Sequence, residues 1–197
     1  MKKSVSATKS RIVSAAWQLF YDQGFDNTTI DEIVELSSTS KGSFYHYFGS
    51  KEALLGSLSY LFDEKYQELE PTLDESLDSL SQLFYLTREL FLMIENNIDI
   101  ELLSRLYAQQ ISKKGEKELV DHSRYYYKLS RKIVQRGQEK GEITREKSSA
   151  EIVRLYAMCE RALLYDWCLA RGEYSLVAYT DSVTPMFLES YRKKMVP

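Results

Sequence analysis

Apolar side chains recur three or four residues apart along almost the whole chain, and this spacing constrains the fold more than any other feature. The first such stripe consists of Ile12, Ala15, Ala16, Leu19 and Phe20, which fall on one face of an α-helix. No stretch of six or more residues alternates apolar and polar side chains, as a half-buried strand would. The sequence therefore predicts an all-α fold of about nine helices.

Turn-forming and capping residues divide this helical pattern. The expected helices cover residues 8–23, 30–36, 40–47, 51–69, 74–95, 98–112, 116–140, 148–171 and 175–194. Thr29 and Glu32 have the spacing of a capping box for the second helix, and Ser50 is expected to cap the fourth. Ser148 and Ser175 are expected to cap the last two helices.

Composition excludes several classes of protein. Hydrophobic residues make up 44% and charged residues 28%, which is ordinary globular usage and argues against disorder. The longest apolar runs have five residues, whereas a membrane span needs roughly 20, so we expect no membrane segment. The basic N-terminus lacks a following apolar stretch, so we expect no signal peptide and a cytoplasmic protein, in which Cys159 and Cys168 are reduced.

The charge is distributed unevenly. The chain has a formal net charge of −3, yet the segment from Met1 to Tyr21 contains four basic residues and no acidic one. These four are Lys2, Lys3, Lys9 and Arg11. A local basic patch on an acidic protein indicates an anionic partner such as nucleic acid at one end of the molecule.

Two short predicted helices, 30–36 and 40–47, follow a longer one and are joined by a short turn. This is the pattern of a helix-turn-helix unit, although a generic three-helix bundle would give the same spacing. At about 100° per residue, Phe44 and Phe48 of the third helix point inward. The opposite arc is free of acidic residues and holds Thr39, Gly42, Ser43 and His46, with Lys41 in the first turn. Such a face suits the major groove, and the alternative is a solvated surface helix.

Residues 12–55 read IVSAAWQLFYDQGFDNTTIDEIVELSSTSKGSFYHYFGSKEALL, which closely resembles the DNA-binding domain of the TetR family of bacterial transcriptional regulators. The resemblance is carried by Gly24-Phe25, by Thr28-Thr29-Ile30 and by the run from Ser40 to Phe48, and it extends to about Tyr60. One departure is the turn Ser37-Ser38-Thr39, where the family usually has Ala-Gly-Val. Glycine there adopts a left-handed backbone more readily than Ser38 should.

This resemblance implies roles for individual residues. Those expected to face bases are Thr39, Lys41, Gly42, Ser43 and His46. Those expected to hold phosphates are Thr28, Thr29, Tyr45, Tyr47 and Lys51. Lys2, Lys3 and Lys9 would add a sequence-independent attraction that weakens with salt. The implied DNA-binding domain spans residues 1–50 and the regulatory and dimerisation domain spans 51–197, with the fourth helix as the connection.

The resemblance also implies that the last two helices form a four-helix dimer interface. Their apolar stripes supply the expected contact residues Tyr156, Leu163, Val183, Phe187 and Tyr191. The alternative is that these stripes are core within one subunit. A dimer would present two third helices related by a twofold axis and would therefore require a palindromic operator.

The family places a small-molecule pocket between the two ends of the subunit. Arg88 interrupts an apolar stripe of the fifth helix and therefore needs a partner. This partner is Glu95, another acid across the core, or an anionic ligand, and we favour a structural acid. Tyr107, Tyr126 and Trp167 could line a cavity or only fill the core.

The favoured hypothesis is a homodimeric, ligand-responsive repressor that binds a double-stranded DNA operator and is released by an unidentified small-molecule effector. The alternative is an activator or architectural DNA-binding protein without a ligand. No Gly-rich phosphate loop, nucleophile elbow or metal-ligand cluster is present in the sequence, so we do not expect an enzyme, a cofactor or a metal site.

Overall fold

The computed structural model describes residues 7–112, 114 and 117–193, and across these ranges the chain is all-α, as predicted. Nine α-helices lie within the described ranges: α1 Ala7–Gln23, α2 Ile30–Leu36, α3 Lys41–Tyr47, α4 Leu58–Leu69, α5 Ser79–Asn97, α6 Ile100–Ser112, α7 Tyr125–Lys140, α8 Ser149–Leu169 and α9 Leu176–Glu189. None of them, within these ranges, is long and apolar enough to cross a membrane. Lys2 and Lys3 lie outside the described residues.

Helices α1, α2 and α3 pack around a small core of their own. Ile12, Phe20, Ile33 and Phe44 are almost fully buried in it. Two leucines that follow α3, Leu54 and Leu55, and Leu102 of α6 complete this core. The packing of the N-terminal unit therefore continues past residue 50 and includes one contact from the C-terminal helices.

The predicted local signals at helix starts are mostly confirmed. Thr29 and Glu32 form a reciprocal capping box at α2, and Ser148 and Ser175 cap α8 and α9 through their side chains. The expectation for Ser50 is wrong, because Lys51 occupies the N-cap position of the next segment and makes no side-chain cap bond. In each of the three confirmed caps, the side chain accepts the backbone N–H of the residue three positions later in the chain.

The predicted fourth helix, 51–69, is instead a 3₁₀ segment, Glu52–Ser57, followed by α4. Two serine hydroxyls bond backbone carbonyls there, Ser57 to Leu54 and Ser59 to Gly56. Such side-chain bonds compete with the regular α-helical ladder and favour the tighter turn.

Two further helices begin later than predicted. Helix α5 begins at Ser79 because the Asp78 carboxylate caps it by accepting the Ser81 N–H. Helix α7 begins at Tyr125 rather than at 116, because Asp63 of α4 accepts the N–H groups of Tyr125 and Tyr126. A cap supplied by a distant helix leaves no signal near the start of α7.

The C-terminal unit is built around α5, which packs against α7 and α9, while α8 packs against α6, α7 and α9. Leu83, Phe91, Leu103, Val134 and Ile152 are fully buried in its core. A buried ion pair between Arg124 and Asp63, with Nη2 2.9 Å from Oδ1, ties α7 to α4. Helix α4 thus continues directly from the N-terminal unit into the C-terminal core.

Candidate nucleic-acid interface

The short helix α3 is held from behind by two phenylalanines. Phe44 is fully buried, Phe48 is 6% exposed, and their ring centroids lie 5.9 Å apart in the N-terminal core. Ser40 caps the start of α3, since its Oγ accepts the Ser43 N–H at 3.0 Å. Because packing and capping fix the helix, its opposite face is presented on a rigid support.

The side chains expected to read bases lie together on this opposite face, which we call the recognition face: Thr39, Lys41, Gly42, Ser43 and His46. Lys41, Gly42 and His46 are exposed, and the other two are half-buried. Helix α3 contains no acidic side chain. A Cβ at Gly42 would meet only the Ser40 Oγ, at 3.7 Å, so a larger residue would fit here without a clash. The glycine instead leaves the outer surface of α3 without a side chain at this position.

Lys41 and Ser43 of the recognition face already have polar partners. Lys41 Nζ lies 2.7 Å from Oδ1 of Asp31 on α2, and both side chains are well exposed. The Ser43 Oγ is 3.0 Å from the Ser40 Oγ. An exposed ion pair is weak, and a serine hydroxyl has both donor and acceptor capacity. These contacts therefore restrict the rotamers without closing the face to an incoming base edge.

The turn between α2 and α3 takes the conformation that the family's glycine would favour. Ser38 has φ 49°, a left-handed backbone, and the Thr39 N–H donates to the Val34 carbonyl at 3.0 Å. The hydroxyls of Ser37 and Thr39 lie 2.8 Å apart. A serine at this angle costs about 1–2 kcal/mol, but the tertiary packing of α2 and α3 keeps the turn in place.

The placement of Thr28 contradicts its expected phosphate role. Thr28 is 1% exposed, and its hydroxyl donates to the Gly24 carbonyl at 2.8 Å. Its backbone N–H donates to Phe25. With its hydroxyl proton and its N–H both engaged, Thr28 stabilises the turn between α1 and α2 and does not present its side chain to a ligand.

Lys51 is likewise engaged inside the protein. Its Nζ donates to the Phe25 carbonyl at 2.6 Å and to the Thr28 carbonyl at 2.8 Å, and it lies 4.5 Å from the centroid of the Phe25 ring. These bonds give Lys51 a structural role in this conformation, and its expected phosphate contact stays a prediction. The sequence did not indicate these bonds. The acceptors are backbone carbonyls of the turn before α2, whereas Lys51 follows α3, so donor and acceptors are far apart in the chain.

The remaining phosphate candidates are accessible to different degrees. Thr29 is exposed, with its hydroxyl donating to Glu32, Tyr45 is 54% exposed, and Tyr47 is half-buried. Thr29, Tyr45 and Lys51, together with the buried Thr28, line one shallow groove of about 420 Å³ between α2 and the turn after α3. This groove borders the recognition face.

Arg88 has a structural partner, as favoured above, but the partner is not Glu95. Its Nε lies 3.0 Å from Oδ1 of Asp181 on α9, and the Arg88 side chain is 38% exposed. Glu95 instead accepts the Val177 N–H at 2.8 Å at the start of α9. Arg88 therefore joins α5 to α9 and does not need an anionic ligand to compensate its charge.

The three aromatic pocket candidates are all packed into the C-terminal core. Tyr107, Tyr126 and Trp167 are buried there. Trp167 Nε1 donates to the Tyr174 carbonyl at 2.9 Å, and the Tyr126 hydroxyl donates to Glu160. Their placement favours the core-filling interpretation, and the groove beside the recognition face is lined by other residues.

A buried carboxyl group in this core was missed by the sequence reasoning. Glu160 of α8 is 6% exposed and receives hydrogen bonds from the hydroxyls of Thr87 and Tyr126, while the neighbouring Tyr156 hydroxyl donates to the Leu83 carbonyl at 2.7 Å. Burial raises the pKa of the Glu160 carboxyl to about 7. The signal available in the sequence was an acid four residues after Tyr156, one helical turn along the same apolar stripe.

The apolar stripe predicted to face a second subunit is mostly internal. Tyr156, Leu163 and Tyr191 are at most 9% exposed and pack in the core of their own subunit, while Val183 and Phe187 are half-buried. The exposed apolar residues of α8 and α9 form a different surface, which we call the outer stripe: Met158, Tyr165, Leu169, Tyr179 and Met186. The predicted residues of α8, Tyr156 and Leu163, thus lie on its core-facing side, and the opposite side also carries apolar residues at helical spacing.

Besides the packing of Leu102, two polar side chains of α6 bond the N-terminal unit. Gln109 Nε2 donates to the Glu52 carbonyl at 2.7 Å, and Arg105 Nη2 lies 2.7 Å from Oδ2 of Asp26. Trp17 of α1 donates from Nε1 to the Ser57 hydroxyl at 2.9 Å. These bonds connect α6 and the segment before α4 to the parts of the chain that flank α2 and α3.

Comparison with known proteins agrees with this geometry. The sequence profile of the family described as "Bacterial regulatory proteins, tetR family" matches residues 12–58. The HTH-type transcriptional regulator QacR of Staphylococcus aureus is 34% identical over 104 residues, which cover 50% of this chain and 55% of that protein. The alignments with QacR and with the Bacillus subtilis regulator YvdT span about half the length of those relatives.

Similarity over the whole chain is lower in sequence but clear in fold. The HTH-type transcriptional regulator TtgR of Pseudomonas putida is 24% identical over 204 residues, covering 97% of this chain and 94% of that protein. The crystal structure of Thermus thermophilus FadR in complex with lauroyl-CoA has a TM-score of 0.75 at 22% identity, covering 95% of this chain and 98% of that one. The helical arrangement is thus shared along both the N-terminal and the C-terminal unit.

Proposed function

Because this chain belongs, through residues 12–58, to the tetR family of bacterial regulatory proteins, we propose that it is a homodimeric repressor that binds a palindromic operator and is released by a small molecule. The observation that carries the proposal is the recognition face, in which Lys41, Gly42 and His46 are exposed, while α3 contains no acidic residue and is anchored by Phe44 and Phe48. We assign residues 1–50, with Leu54 and Leu55, to DNA binding, and the C-terminal helices to dimerisation and regulation.

The chemistry of the recognition face supports base reading. His46 and Lys41 offer donors to the acceptor atoms of guanine, Ser43 and Thr39 offer hydroxyls, and Gly42 permits close approach. Thr29 and Tyr45 lie beside this face and are suited to contact phosphates. We leave Thr28 out of the phosphate set, and we assign Lys51 to the support of the turns that hold these groups.

The outer stripe supports dimerisation. Its five residues are each between 43% and 74% exposed and lie on two neighbouring helices, α8 and α9. Large exposed apolar residues clustered on neighbouring helices are typical of an interaction site. A second copy of the same chain is the proposed occupant, because the surface can pair with itself across a twofold axis and would bring two recognition faces to one side of the duplex.

The contacts of α6 support regulation by a ligand. A molecule that favours another position of α6 would move the turn before α2 through Asp26 and the segment after α3 through Glu52. The shift in operator affinity is limited by the difference in the affinity of that molecule for the two conformations. FadR of Thermus thermophilus, which has the same fold, was solved with lauroyl-CoA bound.

Selection of bound fragments from a random DNA pool tests the proposal. We expect wild-type protein to select an inverted repeat, and His46→Ala to lose its preference at one position of each half-site, corresponding to about 1–3 kcal/mol of discrimination. His122→Ala is the matched control, since His122 is also exposed but lies near the start of α7. Equal affinity for all sequences at every salt concentration would contradict operator recognition.

A further inference from the structure

A cleft of about 990 Å³ separates the N-terminal unit from the C-terminal helices. One wall comes from α1 and the turn after it and carries Trp17, Tyr21 and Phe25. The opposite wall comes from α4, the end of α5 and α6 and carries Leu61 and Met93. The cleft is therefore lined by aromatic rings on one side and aliphatic side chains on the other, and it has the size of a small-molecule site.

The rim of this interdomain cleft is acidic. Among the residues that the structure describes, five carboxylates and two cationic side chains line it, the latter being Lys65 and Arg105. Both cations are already paired: Lys65 lies 3.6 Å from Glu68, and Arg105 bridges two carboxylates at 2.7 Å. The excess of negative charge raises the local concentration of cations.

Glu64 is the acid of this rim most available to a ligand. It is exposed on α4 and makes no ion pair with any residue in the described ranges. Asp99, in contrast, accepts the N–H groups of Glu101 and Leu102 at the start of α6. A positive group that entered the cleft would meet the Glu64 carboxylate without displacing an existing partner.

We propose that the interdomain cleft is an effector site for a monovalent organic cation with an aromatic or other apolar body. The apolar body would lie between the two walls, and the positive charge would lie between the acidic rim and the ring faces of Trp17 and Tyr21, which attract cations. The regulatory part of this inference rests on the proposed function, because the ligand would touch both units and set their separation.

Arg105 connects the cleft to DNA binding. It lines the cleft, bonds Asp26 and lies 5.3 Å from the centroid of the Phe25 ring. A bound cation would compete with Arg105 for these acidic and aromatic partners. Occupancy would thus change the turn before α2 and, through it, the position of α3.

An isosteric pair of ions provides a direct test, because tetraphenylphosphonium and tetraphenylborate differ in charge but hardly in shape. We expect calorimetric titration of the full chain to give at least about tenfold tighter binding of the phosphonium than of the borate. Glu64→Gln and Tyr21→Ala should each weaken phosphonium binding by roughly two- to fivefold. Both residues are exposed, Tyr21 by 70%, so the variants should fold.

The control variant is Glu139→Gln, which removes an exposed charge on α7 outside the cleft and should leave binding unchanged. Equal binding of the two ions, or equal effects of Glu64→Gln and Glu139→Gln, would overturn the site. Phosphonium binding that leaves operator affinity unchanged would overturn its role as an effector site. Failure of the free protein to bind DNA selectively would overturn the proposed function, and the titrations would still decide whether the cleft binds cations.

Discussion

Lys51 joins the segment after α3 to the turn before α2. Its Nζ donates to the carbonyls of Phe25 and Thr28, at 2.6 and 2.8 Å. Hydrogen bonds from a charged donor contribute about 1.5–3 kcal/mol, so we expect Lys51→Ala to lower the free energy of unfolding by about 1–3 kcal/mol in urea denaturation. Lys128→Ala, at an exposed position of α7, should have little effect.

The same variant distinguishes the structural from the electrostatic role of Lys51. A structural role predicts weaker DNA binding in proportion to the loss of stability of the N-terminal unit. Unchanged stability with uniformly weaker DNA binding and a salt dependence reduced by about one ion would instead indicate the phosphate contact that the sequence predicted.

Glu160 should make stability depend on pH near neutrality. Burial raises the pKa of its carboxyl from the ordinary 4.5 to about 7 in the folded chain. Between these values the folded state binds more protons than the unfolded state, so the free energy of unfolding falls as the pH rises. The contribution of this carboxyl to the free energy of unfolding is fully present below pH 4.5 and is lost above about pH 7. The difference is on the order of 3 kcal/mol.

Glu160→Gln removes this titration and keeps a polar group for the surrounding hydroxyls. We expect a variant whose stability is flatter than that of wild type between about pH 5 and pH 8 and greater at the upper end. Thr87 and Tyr126 bond the carboxyl, and the titratable or charged groups that interact with it electrostatically are Tyr66, Tyr107, Tyr127, Tyr156, Cys159 and Arg161. Glu139→Gln should keep the wild-type slope, and persistence of that slope in Glu160→Gln would contradict the assignment.

The residues whose placement was predictable are those with partners nearby in sequence. Thr29 and Glu32, the two partners of the capping box, are only three residues apart in the chain. The inward direction of Phe44 follows from helical geometry. The internal bonds of Thr28 and Lys51 were not predictable, because their side chains donate to backbone carbonyls of a turn and the sequence does not indicate which carbonyls are available. A cap formed within a few residues can be predicted from the sequence. A hydrogen bond from a side chain to a backbone carbonyl far away in the chain cannot.

At the scale of elements, α7 depends on a glycine for its packing against α5. A Cβ at Gly137 would lie 2.8 Å from the Ser79 Cβ and 2.7 Å from the Ile143 Cδ1, both closer than real contacts allow. In a helix interior, alanine is normally about 1 kcal/mol more favourable than glycine. Here overpacking should dominate, and we expect Gly137→Ala to destabilise the protein by about 1–3 kcal/mol in thermal or urea unfolding.

A compensating substitution tests this explanation. The double variant Gly137→Ala/Ile143→Val shortens the side chain that meets the new methyl group and should recover part of the lost stability. A single Gly137→Ala variant that is more stable than wild type would show that Ser79 and Ile143 move aside at little cost.

The number and order of the elements could be predicted, but several of their boundaries could not. Helical periodicity predicted the all-α class because each helix buries one stripe. The start of α7 was placed too early because its cap is Asp63, on another helix. Helix α8 has apolar residues on two faces, so periodicity alone did not reveal whether Leu163 or Met158 faces outward.

At the scale of the whole molecule, the two units share structure rather than being connected by a flexible linker. Leu102 of α6 packs into the core around α1 to α3, and α4 begins at the end of that core and enters the C-terminal one. Arg105 and Gln109 of α6 bond the segments on either side of α2 and α3. A change in the C-terminal unit therefore has a short physical route to the recognition face.

The last prediction concerns assembly, on which operator symmetry depends. We expect wild-type protein to have twice the 23.0 kDa mass of one chain in light scattering. In the variant Met158→Asp/Leu169→Asp each carboxylate would occur twice in a twofold interface, where an unpaired buried charge costs several kcal/mol. Both residues are more than half exposed in the single chain, so the variant should fold and be monomeric. This monomeric variant should bind a half-site with near wild-type affinity but lose the increase in affinity that the inverted repeat gives the dimer.

The control is Val120→Asp, at an exposed apolar position outside the outer stripe, which should remain dimeric. A dimeric double variant would place the interface elsewhere, and a monomer that still preferred the inverted repeat would separate operator symmetry from the outer stripe.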